Sequence, residues 1–360
     1  VDRKLKLLIV DDSSTCREYL KYLFEKDGGF QVVGAARDGL EAVRLAERLR
    51  PDVITMDINM PVMDGIEASR KILETRPVPI VMVSEVWDSE EVQRAFAAME
   101  IGALAGVQKP AGLGTKDAEE SARKLLRTVK LMAEVPVMRR LPSRAVSRST
   151  VDSKLCCPVE GRNFQVVAMG ASTGGPPVLK TILSRLPADY PLPVLVVQHI
   201  SPGFLTGMVE WLRKVCQITL RIGVDGQRLD PATVYFAPDG FHMEVTGAGT
   251  LALRDAPPEH AVRPAVSFLF RSVARVYGRD AVAVLLTGMG RDGAAELKEL
   301  HDQGALTVAQ NEETSVVFGM PGEAVRLGAA RCVLHPAAIG DLLLEAASGR
   351  SHGVEPLQEA

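Results

Sequence analysis

Short apolar runs rich in β-branched residues recur along this chain, each separated from the next by a helix-length stretch. In the first third they read "KLLIV", "QVVGAA", "DVITMD", "PIVMVS" and "AGVQK". Runs apolar at consecutive rather than alternating positions fit strands buried on both faces, the condition of a parallel sheet covered by helices. Ser13 is placed to cap the first helix, in which Cys16, Tyr19, Leu20, Leu23 and Phe24 form one apolar stripe. After residue 163 the alternation resumes with "FQVVAMGAS", "PVLVVQH", "AVAVLLTG" and "LTVAQN". Between the second and third of these lies a β-rich stretch, "ITLRIG", "TVYFAP" and "MEVTGAGTLALRD", read as carrying an inserted β-hairpin. The fold class expected is α/β, with two doubly wound parallel-sheet domains joined by a linker.

The break between the two sets is compositional. From Pro136 to Asn163 there are three prolines, four serines and six Lys or Arg, against Asp152 and Glu160 alone, with no apolar period. The expected division is residues 1–133, a flexible linker over 134–163, a second domain over 164–345 and a tail over 346–360. A length of 360 residues agrees with two domains. The net charge of −3 gives no reason to expect nucleic acid as a partner. No apolar run approaches the ~18 residues of a membrane span, so no membrane insertion is expected. Five cysteines, an odd number without repeated C-x-x-C spacing, argue against a disulfide framework. With no secretory core in "VDRKLKLLIV", a cytoplasmic location is expected.

Doubly wound sheets carry their sites at the carboxyl ends of strands. In the first domain that rule collects Asp11 and Asp12 after strand one and Asp57 after strand three. It adds Ser84 after strand four and Lys109 after strand five. Carboxylates crowded on one rim repel unless a hard cation neutralises them, which implies Mg²⁺ with oxygen ligands. A lysine and a hydroxyl in the same ring suit a phosphoryl group carried by one of the carboxylates. Acidic residues often end strands or cap helices, but five such residues on four strand ends make a pocket. They resemble the receiver domain of two-component response regulators, with a flavodoxin-like fold. The resemblance implies Asp57 as phospho-acceptor, Asp11, Asp12 and the Asn59 backbone carbonyl around the metal, and Ser84 and Lys109 as switch residues. Gly106 stands where receivers usually carry an aromatic.

In the second domain "GASTG" at 170–174 is a G-x-S-x-G turn between a strand and a helix opening with Pro176 and Pro177. Such a turn can hold Ser172 up near helix-start amides. A dinucleotide-binding turn would need a second glycine where Ser172 stands and an acid where "PVLVVQH" ends in His199. Strands one and two of a parallel sheet are usually neighbours, so His199 falls within reach of Ser172 as its base. Asp292, in the loop of "LLTGMGRDGA", can orient the imidazole, and the Met289 amide in the same loop is a candidate oxyanion donor. His242, His260, His301, His335 and His352 read as loop, turn, helix-end or tail residues.

"GASTGGP", "QHISPGF", "YFAPDGFHM" and "LLTGMGRDGA" are together similar to the catalytic domain of chemotaxis protein-glutamate methylesterases, the CheB family. The resemblance implies a Rossmann-like domain in which Ser172, His199 and Asp292 form a triad, with Thr173 beside the nucleophile and Met289 at the oxyanion. It further implies hydrolysis of γ-glutamyl methyl esters on chemoreceptors with release of methanol, deamidation of glutamines as a second activity, and a kinase of the CheA type as phosphodonor. No cofactor is expected in the esterase site. Relatives often carry an aspartate near Ser267. A phosphorylation-responsive docking module, a fused dinucleotide enzyme and a general lipase are the competing readings. The serine, histidine and aspartate favour the hydrolase, because docking needs no nucleophile.

Overall fold

A computed structural model describes residues 3–84, 94–96, 98–99, 102–103, 105–110, 116–135, 159 and 161–348. Most of the expected linker and nearly all of the tail lie outside the described residues. The chain divides into two compact units, Val1–Ser149 and Thr150–Ala360.

In the first unit, strands β1 (Leu5–Val10), β2 (Phe30–Ala36), β3 (Val53–Met56), β4 (Ile80–Ser84) and β5 (Ala105–Gln108) form one sheet in the order β2-β1-β3-β4-β5. Every pairing is parallel. This is the 2-1-3-4-5 flavodoxin-like order. Helix α1 (Ser14–Asp27) begins where Ser13 accepts the Cys16 amide, and it buries Leu20 and Phe24 of the expected stripe. Helices α2 (Gly39–Leu49) and α3 (Gly65–Thr75) open on aspartate caps, Asp38 and Asp64, whose carboxylates accept from Glu41 and Glu67 at 2.8 Å. They cover one face, where Leu8, Val10, Ile54, Met56, Ile72, Ile80 and Met82 make the core. Helix α4 (Lys116–Ala133) closes the described part of this unit and buries Leu125 and Val129.

The second unit holds a seven-stranded sheet built from β6 (Val166–Ala171), β7 (Val194–Gln198), β8 (Thr219–Ile222), β9 (Thr233–Phe236), β12 (Ala281–Leu285), β13 (Leu306–Gln310) and β14 (Cys332–Leu334). Its order is β14-β13-β12-β6-β7-β9-β8, all parallel. Among the described strands of this unit the antiparallel pair is the hairpin, β10 (His242–Val245) with β11 (Leu251–Arg254), which forms its own two-stranded sheet. The strands "ITLRIG" and "TVYFAP" thus extend the main sheet, and the insertion is the hairpin alone. Helices α5 (Gly175–Leu183), α6 (Phe204–Arg213), α7 (Val266–Val276), α8 (Ala294–Asp302), α9 (Met320–Arg326) and α10 (Pro336–Ser348) accompany the sheet. Winding reverses at β6, which lies between β7 and β12, so the crevice of this sheet opens beyond its carboxyl end.

Two sequence readings need correction. His242 is not a loop histidine: it sits in β10, fully buried, with Nδ1 accepting from the Ala265 amide and Nε2 bonded to the Pro257 carbonyl. The odd cysteine count argued against a disulfide framework; Cys332 is nonetheless disulfide-bonded, whereas Cys16 and Cys216 are in no disulfide. An odd number excludes complete pairing, not a single bridge. Among the described residues no helix is long and apolar enough to cross a membrane.

Candidate functional site

The first unit gathers its five candidates at one rim. Asp11 follows β1, and its Oδ1 accepts the Ser13 amide at 2.9 Å, which fixes the carboxylate against the start of α1. Lys109 Nζ, itself buried, lies 2.8 Å from both Asp11 Oδ2 and Asp57 Oδ2. Ser84 ends β4 and its carbonyl receives the Lys109 amide at 2.8 Å, so the two switch candidates are joined through their backbones. Asn59 lies two residues beyond Asp57, where its Oδ1 accepts from Arg94 Nη1 at 2.6 Å. The same guanidinium reaches Asp64, the cap of α3, at 3.1 Å.

Carboxylate oxygens of Asp11, Asp12 and Asp57 fall within 4.8 Å of one another. Burial pushes the Asp57 carboxyl up, and the neighbouring Asp11 charge adds to this. The Lys109 ammonium pulls the other way, and the net value is about 6. Burial works against the Lys109 ammonium, but its bonds to Asp11 and Asp57 hold it well above the usual lysine value. Three crowded carboxylates, one of them reluctant to ionise, are a hard oxygen donor set with excess negative charge, and they fit a divalent cation such as Mg²⁺.

In the second unit the central strand delivers Ser172. Register pairs Ala171 with Gln198, so the next residues on the two strands are Ser172 and His199, and the His199 amide donates to Ala171 at 2.8 Å. After Ser172 the chain turns sharply: the Gly175 amide returns to the Ser172 carbonyl at 2.8 Å. Gly174 within that turn has φ +78°, and a side chain there would strike Val316 at 2.5 Å. The second glycine of G-x-S-x-G therefore has both a conformational and a steric reason. Prolines 176 and 177 fill the first turn of α5, where an amide hydrogen has no helical acceptor.

His199 Nε2 lies 2.8 Å from Asp292 Oδ2, with the carboxylate 3% exposed and the imidazole 11%. Asp292 also accepts the amides of Val266 at 2.7 Å and Ser267 at 2.9 Å. Burial pushes this carboxyl up, but the bond to His199, its charge and the Ser267 contacts outweigh burial and hold it below 3.8. Ionised Asp292 can only accept, so Nε2 carries the hydrogen and Nδ1 is left as the basic nitrogen. That is the reverse of the usual triad, in which the acid holds Nδ1.

Other residues prepare this rim without having been read from the sequence. Gln198, buried at the end of β7, donates its amide to the carbonyls of both Ser172 and His199 at 2.8 Å. Thr287 carries the Ser172 amide on its carbonyl at 3.0 Å, while its hydroxyl reaches Thr173 at 2.9 Å. The segment 317–320 grips Gly288 from both sides: Gly288 donates to Val317, and its carbonyl accepts from Gly319 and Met320. That fixes the backbone entering Met289, whose amide makes no hydrogen bond among the described residues. The Met289 side chain is 43% exposed. Thr173 is half-buried, and its amide is likewise unpaired among the described residues.

An acidic rim on a 2-1-3-4-5 sheet, followed by a doubly wound sheet with serine, histidine and aspartate at its switch point, defines a class of receiver-linked hydrolases. Residues 7–115 match the response regulator receiver domain and residues 167–343 match the CheB methylesterase domain. A protein-glutamate methylesterase/protein-glutamine glutaminase of Geobacter metallireducens is 50% identical over 333 residues, covering 92% of this chain and 96% of that protein. One from Syntrophus aciditrophicus is 48% identical, covering 95% and 98%. Among solved structures, the CheB methylesterase catalytic domain of Thermotoga maritima is 36% identical with a TM-score of 0.50, over 51% of this chain and 98% of that one. The chain belongs to the CheB family of protein-glutamate methylesterases/protein-glutamine glutaminases with an N-terminal receiver.

Proposed function

We propose that this protein is a phosphorylation-activated esterase that hydrolyses γ-glutamyl methyl esters on chemoreceptors. Residues 1–133 form the receiver and 164–345 the catalytic domain. The observation that carries this reading is the largely buried His199–Asp292 pair one register step from a serine held on a tight turn.

Ser172 Oγ attacks the ester carbonyl carbon while His199 Nδ1 takes the hydroxyl proton. Asp292 keeps Nε2–H directed away from the serine and balances the imidazolium that forms. The carbonyl oxygen, now negative, lies against the unpaired amides of Met289 and Thr173. Collapse breaks the C–O bond to the methoxy group, which leaves as methanol with the proton from Nδ1. Water, deprotonated by the same nitrogen, then releases the glutamate carboxylate and restores Ser172. A glutamine side chain enters the same sequence with ammonia as the leaving group, giving the deamidase activity.

In the receiver, Asp57 accepts the phosphoryl group from a histidine kinase of the CheA type. Asp11, Asp12, Asp57 and the Asn59 carbonyl would hold Mg²⁺, which supplies charge neutralisation to the transferring phosphoryl. Lys109 then exchanges its bond to the Asp57 carboxylate for one to the phosphoryl oxygens, and Ser84 follows. The receiver restrains the esterase until this exchange shifts its conformational equilibrium.

The test is methanol release from a methyl-labelled chemoreceptor fragment, with and without acetyl phosphate. Ser172→Ala is expected to abolish release with the fold intact, a loss of ~10⁴-fold or more in kcat. Acetyl phosphate is expected to stimulate the parent chain and not Asp57→Ala. Turnover retained by Ser172→Ala refutes the assignment.

A further inference from the structure

We propose that Ser267 is a positioning residue for the catalytic carboxylate, holding Asp292 from two sides while a half-buried glutamate fixes the serine. The inference rests on the reading of Asp292 given above. Helix α7 begins at Ala265, a cap residue with no side chain to offer its first amides. Asp292 takes that place from another loop, accepting Val266 N–H on Oδ2 and Ser267 N–H on Oδ1. Oδ2 also receives Nε2–H of His199, so the Oδ1 bond to Ser267 holds the carboxylate from its other oxygen and helps keep it from rotating about its Cβ–Cγ bond.

The hydroxyl of Ser267 completes the grip. It accepts the amide of Gly293, the residue after Asp292, at 2.9 Å. An amide can only donate, so the hydroxyl's own hydrogen is free for Glu296 Oε2, 2.6 Å away. Ser267 is fully buried. Glu296 is held in turn by Arg271 Nη2 at 3.2 Å, and Arg271 pairs with Glu259 at 2.8 and 3.2 Å. This Glu259–Arg271–Glu296 chain leaves the serine hydroxyl one orientation. The cap of α7 needs only the two amides. The hydroxyl adds nothing to it except a fixed distance between Ser267 and the Asp292–Gly293 backbone. Fixing that distance sets where Asp292 presents Oδ2 to the imidazole. Misplacement of a catalytic group by about 1 Å costs on the order of 100-fold in rate.

The experiment measures kcat and KM for methanol release by the full chain with acetyl phosphate, using a methyl-labelled chemoreceptor fragment, together with the melting temperature of each variant. Ser267→Ala is expected to lose ~10–100-fold in kcat with KM unchanged, at temperatures where it is folded. Glu296→Leu, which strands the hydroxyl, is expected to lose kcat in the same way. Glu296→Gln, which still offers an acceptor oxygen, is expected to recover much of that loss. A wild-type kcat in Ser267→Ala, or a loss carried by KM alone, overturns the inference. Should Ser267→Ala not fold, equal kcat in the Glu296 leucine and glutamine variants overturns it. A Ser172→Ala control separates the two levels: turnover there defeats the reading of the site, whereas an inactive control beside an unimpaired Ser267→Ala defeats only the role of Ser267.

Discussion

Removing the Asp57 charge is expected to stabilise the metal-free protein at neutral pH. The Asp57 side chain is 6% exposed, and burial raises its carboxyl from 3.8 to about 6 despite the bond to Lys109. With its folded value the higher one, the native state binds the proton more tightly than the unfolded chain between those two values. Stability therefore falls as pH rises through that window, and the full cost is present above it. At ~1.36 kcal/mol per pH unit, the interval from 3.8 to about 6 is worth about 3 kcal/mol. Lys109, held far above this range, stays charged in both states and adds no slope. Asn at position 57 keeps the volume and loses the titration. It weakens the ionic bond to Lys109 to one with a neutral acceptor, while the 2.8 Å bond from Lys109 to Asp11 remains. The net gain for Asp57→Asn at about pH 7.5 is thus ~1–3 kcal/mol, or several degrees in Tm. Scanning calorimetry of the full chain in chelator supplies the assay, with the receiver transition identified as the one that added Mg²⁺ moves. Parent and variant should converge at about pH 4 and separate as the pH rises. A variant that melts below the parent at neutral pH, or one that tracks it across the whole range, would refute the reasoning.

Two further outcomes concern the second unit. A methyl group on Gly288 would stand 2.6 Å from Ser172 Cβ and 2.4 Å from Met320 Sδ, so Gly288→Ala must displace Ser172. Its kcat should fall roughly 100-fold in the methanol assay, while acetyl phosphate still labels Asp57. Asp292→Asn replaces one of two acceptor oxygens with a donor, so the His199 tautomer is no longer fixed, and should cost ~10⁴-fold in kcat. Because the folded carboxyl lies below 3.8, its stabilising effect is present above that value and is lost as pH falls through the lower folded one. An acid unfolding titration should accordingly show a steeper loss in the parent than in the asparagine variant.

Most strands of the two parallel sheets were legible because buried parallel strands are largely apolar, and the quoted runs from "KLLIV" to "LTVAQN" each hold a strand or, for "MEVTGAGTLALRD", the two of the hairpin. Strand β14 was not, since three residues with only Cys332 buried carry no such signal. The rule that strand ends carry the chemistry was enough to collect Asp11, Asp57, Ser84 and Lys109, and likewise Ser172 and His199. It does not reach contacts made by side chains from elsewhere in the fold. Gln198 could have been suspected, as an amide ending a wholly apolar strand beside the histidine. Thr287, Ser267 and the 317–320 segment left no comparable trace, because hydroxyls and backbone amides acquire a role only through what folds against them. His242 was misjudged for a related reason: its two ring bonds join residues 15 and 23 positions away, which no local pattern reports.

The start of helix α7 borrows its cap from Asp292, a residue in another loop. The proposed chemistry and the architecture are therefore tied to one side chain. A lineage of this fold that abandoned hydrolysis could shed Ser172 freely, but to shed Asp292 it would first have to furnish the helix with a substitute anion.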